Sequence, residues 1–162
     1  MGRRSERIAR TTARQTPVIL VDTSVWIDYF NGHNSVEAAY LGLCIADAGP
    51  LTIPGLVLTE ILLGVRTEAE AKRITRALSA FEFAPELEKS DYQKAAELYR
   101  ACRARGLTPR STIDCVIAQL CLKHGYELLA KDRDFDAIGK VFPLKRVSTT
   151  PMVQDRPRAS SF

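Results

Sequence analysis

Four carboxylates interrupt apolar sequence, and their positions are the first sign of chemistry. Glu60 stands inside Leu56-Val57-Leu58-Thr59-Glu60-Ile61-Leu62-Leu63. On a helix its neighbours three and four residues away are Leu56, Val57, Leu63 and Gly64, so it projects from an apolar face. Burying a bare carboxylate is costly unless a cation or a metal meets it. Asp114 repeats the pattern, with Ile117, Ala118 and Cys121 on its face. Ser111-Thr112-Ile113-Asp114 also fits a capping box, and a first-turn carboxylate can both cap a helix and face a cleft. Asp22 closes the run Val18-Ile19-Leu20-Val21, and Asp132 follows Leu128-Leu129-Ala130 with Asp134 and Asp136 close behind. Taken singly, an internal salt bridge explains Glu60, capping explains Asp22, and an Asp-rich turn explains Asp132. Taken together, two acids at strand ends and two on inward helical faces can converge, because open α/β sheets bind ligands beyond the carboxyl ends of their strands.

Such a cluster repels itself unless a cation joins it. An all-oxygen ligand set selects Mg²⁺ or Mn²⁺. The substrate suited to a carboxylate-held magnesium is a phosphodiester, attacked in line by a metal-activated water.

Other chemistries are poorly supplied. The two histidines, His33 and His124, fall in a turn signal and before Gly125, where a helix should end, which argues against imidazole-driven catalysis. The cysteines, Cys44, Cys102, Cys115 and Cys121, form no CxxC pair, so a structural zinc is not expected. Three of them sit in apolar helix-like runs and read as reduced core residues, which suits a cytoplasmic protein. No apolar stretch approaches the roughly 20 residues of a membrane span. The net charge of +4 belongs to residues 1–17, which carry five arginines against Glu6; the rest of the chain is balanced. That segment is expected to be a disordered, arginine-rich leader, or else an arm that adds grip on nucleic acid.

The acids must be positioned by a layered framework. Short apolar runs at 18–21, 51–53, 81–83, 127–130 and 141–147 read as strands. Between them lie helical segments from about Thr23 to Phe30, Ser35 to Asp47, Leu56 to Val65, Glu68 to Ser79, Ser90 to Arg105, Ser111 to His124 and Asp132 to Gly139. Alternating helices and strands predict one α/β domain with a mostly parallel sheet. On the helix from Ser90, the stripe Asp91, Lys94, Glu97 and Arg100 reads as a solvated face, with Tyr92, Ala95, Ala96, Leu98, Tyr99 and Cys102 as its apolar side.

Val18-Ile-Leu-Val-Asp22-Thr-Ser-Val-Trp-Ile-Asp28, Thr59-Glu60-Ile-Leu-Leu-Gly64, Thr112-Ile-Asp114-Cys-Val-Ile-Ala118 and Ala130-Lys-Asp132-Arg-Asp134-Phe135 together resemble the PIN-domain ribonucleases, and most closely the VapC-type toxins of toxin–antitoxin pairs. The resemblance implies a PIN-like three-layer α/β/α fold with about five strands. It places a PIN domain at 18–148, between the leader at 1–17 and a loose tail at 149–162. It further implies a Mg²⁺- or Mn²⁺-dependent endoribonuclease, cleaving an RNA such as tRNA or rRNA to inhibit translation. Its catalytic metal ligands match Asp22, Glu60, Asp114 and Asp132, with Asp134 as a fifth acid that competes with Asp132 for the closer place.

On the same basis Ser24 supports a ligand from behind and Thr112 is assigned a similar part. Arg100, Arg103, Arg105 and Arg110 are expected to grip RNA. A small VapB-like antitoxin and a second copy of the chain, making a homodimer, are the implied partners. Two other readings compete. A receiver or phosphatase-like domain would exploit Lys131 but does not account for Glu60, and a catalytically silent RNA-binding or interaction module would keep the fold alone.

Overall fold

The computed structural model describes residues 16–149. The expected leader at 1–17 therefore lies almost wholly outside the described residues, and so does all of the tail except Thr149.

The first element of the described residues is β1 (Ile19–Val21), whose three residues are all buried. Burial on both faces is what a β-branched run without polar alternation demands. Asp22 caps α1 (Thr23–Asn31) with its side chain, and α2 (Val36–Ala46) follows behind a Ser35 cap. After β2 (Leu51–Ile53), Pro54 precedes α3 (Gly55–Leu63). The amphipathic α4 (Glu68–Leu78) leads to the two-residue β3 (Glu82–Phe83). The long α5 (Lys89–Ala104) and α6 (Thr112–His124) then pack against each other before β4 (Glu127–Leu129) and α7 (Asp134–Gly139). Gly106 and Gly125 both take positive φ, near 70°, which stops α5 and α6 where a side chain would be strained.

Every pairing in the four-stranded sheet is parallel, in the order β3-β2-β1-β4. The chain leaves β1 to one side for β2 and reaches β4 on the other, so a topological switch point opens between β1 and β4. The core on the sheet includes Leu20, Val21, Trp26, Ile53, Ile117, Leu128 and Phe135, all essentially without solvent contact. Among the described residues no helix is long and apolar enough to cross a membrane.

Three local expectations change. The strand expected over 141–147 is reduced to a single parallel bridge between Leu128 and Arg146. Leu128 N–H donates to Lys145 at 2.9 Å and Val147 N–H donates to Leu128 at 3.0 Å. Pro143 has no N–H for a longer ladder, so the described sheet has four strands rather than about five. Helix α5 starts at Lys89, with the Asp91 carboxylate accepting from Glu88 N–H at 2.9 Å, in place of a Ser90 cap. Finally, Asp91 does not belong to the solvated stripe. It is buried, and Lys123 of α6 meets it at 2.9 Å. That ion pair holds Asp91's carboxyl below the usual carboxylate range.

Candidate functional site

The switch point is an open cleft lined by Asp22, Glu60, Asp114 and Asp132, with Lys131 and Arg133 at its rim. Each acid arrives from a different element. Asp22 is the residue after β1, and its N–H donates to Leu129 of β4 at 2.9 Å, which fixes it across the switch point. Its carboxylate accepts from Ser24 N–H at 3.1 Å and from Ser24 Oγ at 2.6 Å. Glu60 reaches in from α3, where its Oε2 accepts from the Thr23 hydroxyl. Asp114 stands in the first turn of α6, and the Ser111 Oγ accepts from its N–H at 3.3 Å. Asp132 follows β4, and its Oδ1 accepts from Asp134 N–H at 2.8 Å.

Asp114, Asp132 and Asp134 each offer a carboxylate oxygen within 4.8 Å of one another. Burial, and then the charges of Asp22, Asp132, Asp134 and Glu60, push the Asp114 carboxyl up to about 7. Burial is the larger cause, and the neighbouring carboxylates add to it by like-charge repulsion. The donor set is hard oxygen throughout, so the residues present fit a divalent cation such as Mg²⁺ or Mn²⁺ better than a softer metal.

One cation is already engaged with the acids. Arg110 donates from its backbone N–H to Asp134 Oδ2 at 2.6 Å and from Nε to Asp134 Oδ1 at 3.2 Å, while Nη2 reaches Asp132 Oδ1 at 3.2 Å. Asp134 is thus gripped through both oxygens, and Asp132 keeps one oxygen outside these contacts. Lys131 is held by Asp28 of α1 at 2.5 Å. With further bonds from Ser35 and His33, this lysine pulls the Asp28 carboxyl down to about 2. A lysine so engaged is not free for the phosphoryl-transfer role that the receiver-like reading would give it.

The structure brings the four expected acids and Ser24 together, with Asp134 beside them. Thr112 lies elsewhere, lining a groove next to Tyr99 and Arg100. Arg103 sits over the Tyr99 ring, 5.9 Å from its centroid, and Arg105 caps the end of α5. Sequence reasoning missed Thr23 as the partner of Glu60, the Asp28–Lys131 pair and the clamp made by Arg110. A hydroxyl at the first helical position after Asp22 was a visible signal for Thr23. Nothing local signalled the other two.

Residues 19–141 match the PIN domain family model. The chain is 31% identical over 132 residues to Ribonuclease VapC11 of Mycobacterium tuberculosis, covering 81% of this chain and 98% of that protein. Its fold resembles the crystal structure of VapBC2 from Rickettsia felis bound to a DNA fragment from their promoter, with a TM-score of 0.64 at 18% identity over 80% of this chain and 97% of that one. It also resembles a toxin–antitoxin complex from Klebsiella pneumoniae, with a TM-score of 0.58 at 22% identity over 78% and 98% of the two chains. The acids at the switch point, the parallel sheet that carries them and the nearly full-length match to VapC11 agree: this chain belongs to the PIN-domain family, in its VapC branch.

Proposed function

We propose that the protein is a divalent-metal-dependent endoribonuclease and the toxin of a toxin–antitoxin pair, cleaving tRNA or rRNA in the cytoplasm and so stopping translation. The observation that carries this reading is geometric: Asp22, Glu60, Asp114 and Asp132 line one cleft, and carboxylate oxygens of Asp114, Asp132 and Asp134 lie within 4.8 Å of one another. The names of its relatives support nuclease chemistry, and the complexes of its structural neighbours support an antitoxin partner. A homodimer and a VapB-like antitoxin complete the proposal, with residues 18–148 as the catalytic unit.

Asp22, Glu60, Asp114 and Asp132 would hold Mg²⁺ or Mn²⁺, with Asp134 beside them. The ion would supply an activated water nucleophile and offset the charge that grows on the phosphate. The remaining work falls to the chain. Ser24 orients Asp22 through two donors, and Thr23 holds Glu60 on its helix face. Both hydroxyls are neutral donors, so they fix these two side chains without bringing a counter-charge into the cleft. Arg110 keeps the Asp132–Asp134 turn closed against the loop before α6. The phosphate chain would be met by the exposed Arg100 and Arg133, while Arg103 and Arg105 stand further along α5.

The test is cleavage of bulk tRNA with Mg²⁺ or Mn²⁺, with chelator, and with Asp22→Asn. Discrete fragments that need the metal and vanish in the variant support the proposal. Intact RNA in every lane, from folded protein free of antitoxin, would overturn it.

A further inference from the structure

A second concavity, of about 470 Å³, lies between α5 and the start of α6. Its floor is apolar, from Ala95, Ala96 and Val116, and two tyrosine rings, Tyr92 and Tyr99, stand along it. Tyr92 is 52% exposed, although helical periodicity assigned it to the packed side of α5. An aromatic ring left facing water beside an apolar floor is available to a flat partner. The cationic residues are placed to match. Arg100 and Arg110 line the groove, Arg103 lies over the Tyr99 ring, and among the described residues no carboxylate lines it. The adjoining cleft carries the acids, and Arg110 lines both spaces, so the two lie side by side.

We infer that this groove is a nucleobase subsite, in which an unpaired base of the RNA flanking the cleaved bond stacks on Tyr92 and Tyr99 while Arg100 meets its phosphate. The inference rests on the nuclease reading and adds a substrate feature to it: a single-stranded stretch beside the scissile phosphate. An apolar floor with tyrosine rings and flanking arginines is how proteins hold single strands with little sequence readout. Stacking on the two rings favours the larger surface of a purine over a pyrimidine there. The positive lining would attract an acidic peptide as well, but its place beside the acidic cleft, with Arg110 lining both, favours the strand whose phosphate lies in that cleft.

The test is fluorescence anisotropy of a labelled oligoadenylate of about ten nucleotides, bound to the full chain in chelator so that nothing is cut. Tyr92→Ser and Tyr99→Leu should each weaken binding about 5- to 50-fold, with unchanged circular dichroism and melting temperature. Arg100→Gln should lower the slope of log affinity against log salt by about 0.7. An oligonucleotide with one abasic position, moved along the chain, should reproduce the loss on the unaltered protein and add little to Tyr99→Leu. Affinities within twofold of the parent for all three variants would overturn the subsite. So would unchanged affinity together with a dimer-to-monomer shift on size exclusion, which would make the groove an interface between copies. Metal-dependent cleavage of tRNA is run beside these. Cleavage without groove dependence removes only the subsite, whereas groove-dependent binding without cleavage removes only the nuclease reading.

Discussion

Asp28→Asn isolates the strap between α1 and the turn that carries Asp132. The Asp28 carboxyl falls from an ordinary 3.8 to about 2, chiefly through its bond to Lys131, then Ser35, with burial opposing them. A depression of that size corresponds to at most about 2.4 kcal/mol of stability. Lys131 is 39% exposed, so solvent screening cuts the contribution to about 1 kcal/mol. Because the folded value lies below the unfolded one, this stability is fully present above about pH 4 and is lost as pH falls toward 2. Urea unfolding of the parent and variant should therefore differ by about 1 kcal/mol at pH 7. The gap should shrink to about half near pH 3, nearly close at pH 2, and narrow in about 1 M salt. An equal gap at pH 7 and pH 3 would mean that packing, not charge, carries the effect, and no gap at pH 7 would refute the strap altogether. If the strap also positions Asp132, RNA cleavage by the variant falls more than its stability at neutral pH accounts for.

Removing a charge from the crowded cleft should have the opposite sign for stability. Asp114→Asn in chelator is expected to stabilise the fold by about 1–3 kcal/mol, read as a higher melting temperature, while abolishing metal-dependent cleavage. Thr23→Val deletes the donor to Glu60 without changing volume much, and should lower cleavage about 10-fold or more with little change in melting temperature. Ile117→Ala opens a cavity in a helix that has no solvent contact at that point, and should cost about 2–5 kcal/mol in urea unfolding. Lys123→Met leaves the buried Asp91 carboxylate without its cation, and should lower the melting temperature by more than Lys94→Met on the exposed side of α5.

The parts of this molecule that could be inferred from sequence are those that periodicity or adjacency encodes. Asp22 and Asp132 follow apolar runs, and Glu60 and Asp114 break apolar helix faces, so their convergence is visible once a parallel sheet is inferred. Ser24 is legible because its partner is two residues away. The interactions that escaped detection join distant positions: Thr23 to Glu60 across 37 residues, Arg110 to Asp134 across 24, and Lys131 to Asp28 across 103. Asp91 was misplaced for the same reason. A three-residue spacing puts it on a face, but only the position of Lys123 on the neighbouring helix decides whether that face is buried. The last strand failed on a different point, since β-branched residues around Pro143 favour extension without supplying the N–H groups that a ladder needs.

The supports of the acids differ in a way that bears on the cation they would hold. Asp22 and Glu60 are fixed by hydroxyls, which restrict the carboxylates but leave their charge intact. Asp132 and Asp134 are fixed by a guanidinium, which restricts them and cancels charge at the same time. Among the described contacts a cation is therefore bound at Asp132 and Asp134, beside the aromatic groove, and none at Asp22, Glu60 or Asp114. A metal held by Asp22, Glu60, Asp114 and Asp132 would leave Asp134, gripped by Arg110 through both oxygens, as a brace for the turn. Asp134→Asn should then cost folding stability more than metal affinity, whereas Asp22→Asn should do the reverse. Mn²⁺ titration by calorimetry beside thermal melts of both variants separates the two roles, and equal losses of metal affinity would show that the arginine does not divide the site.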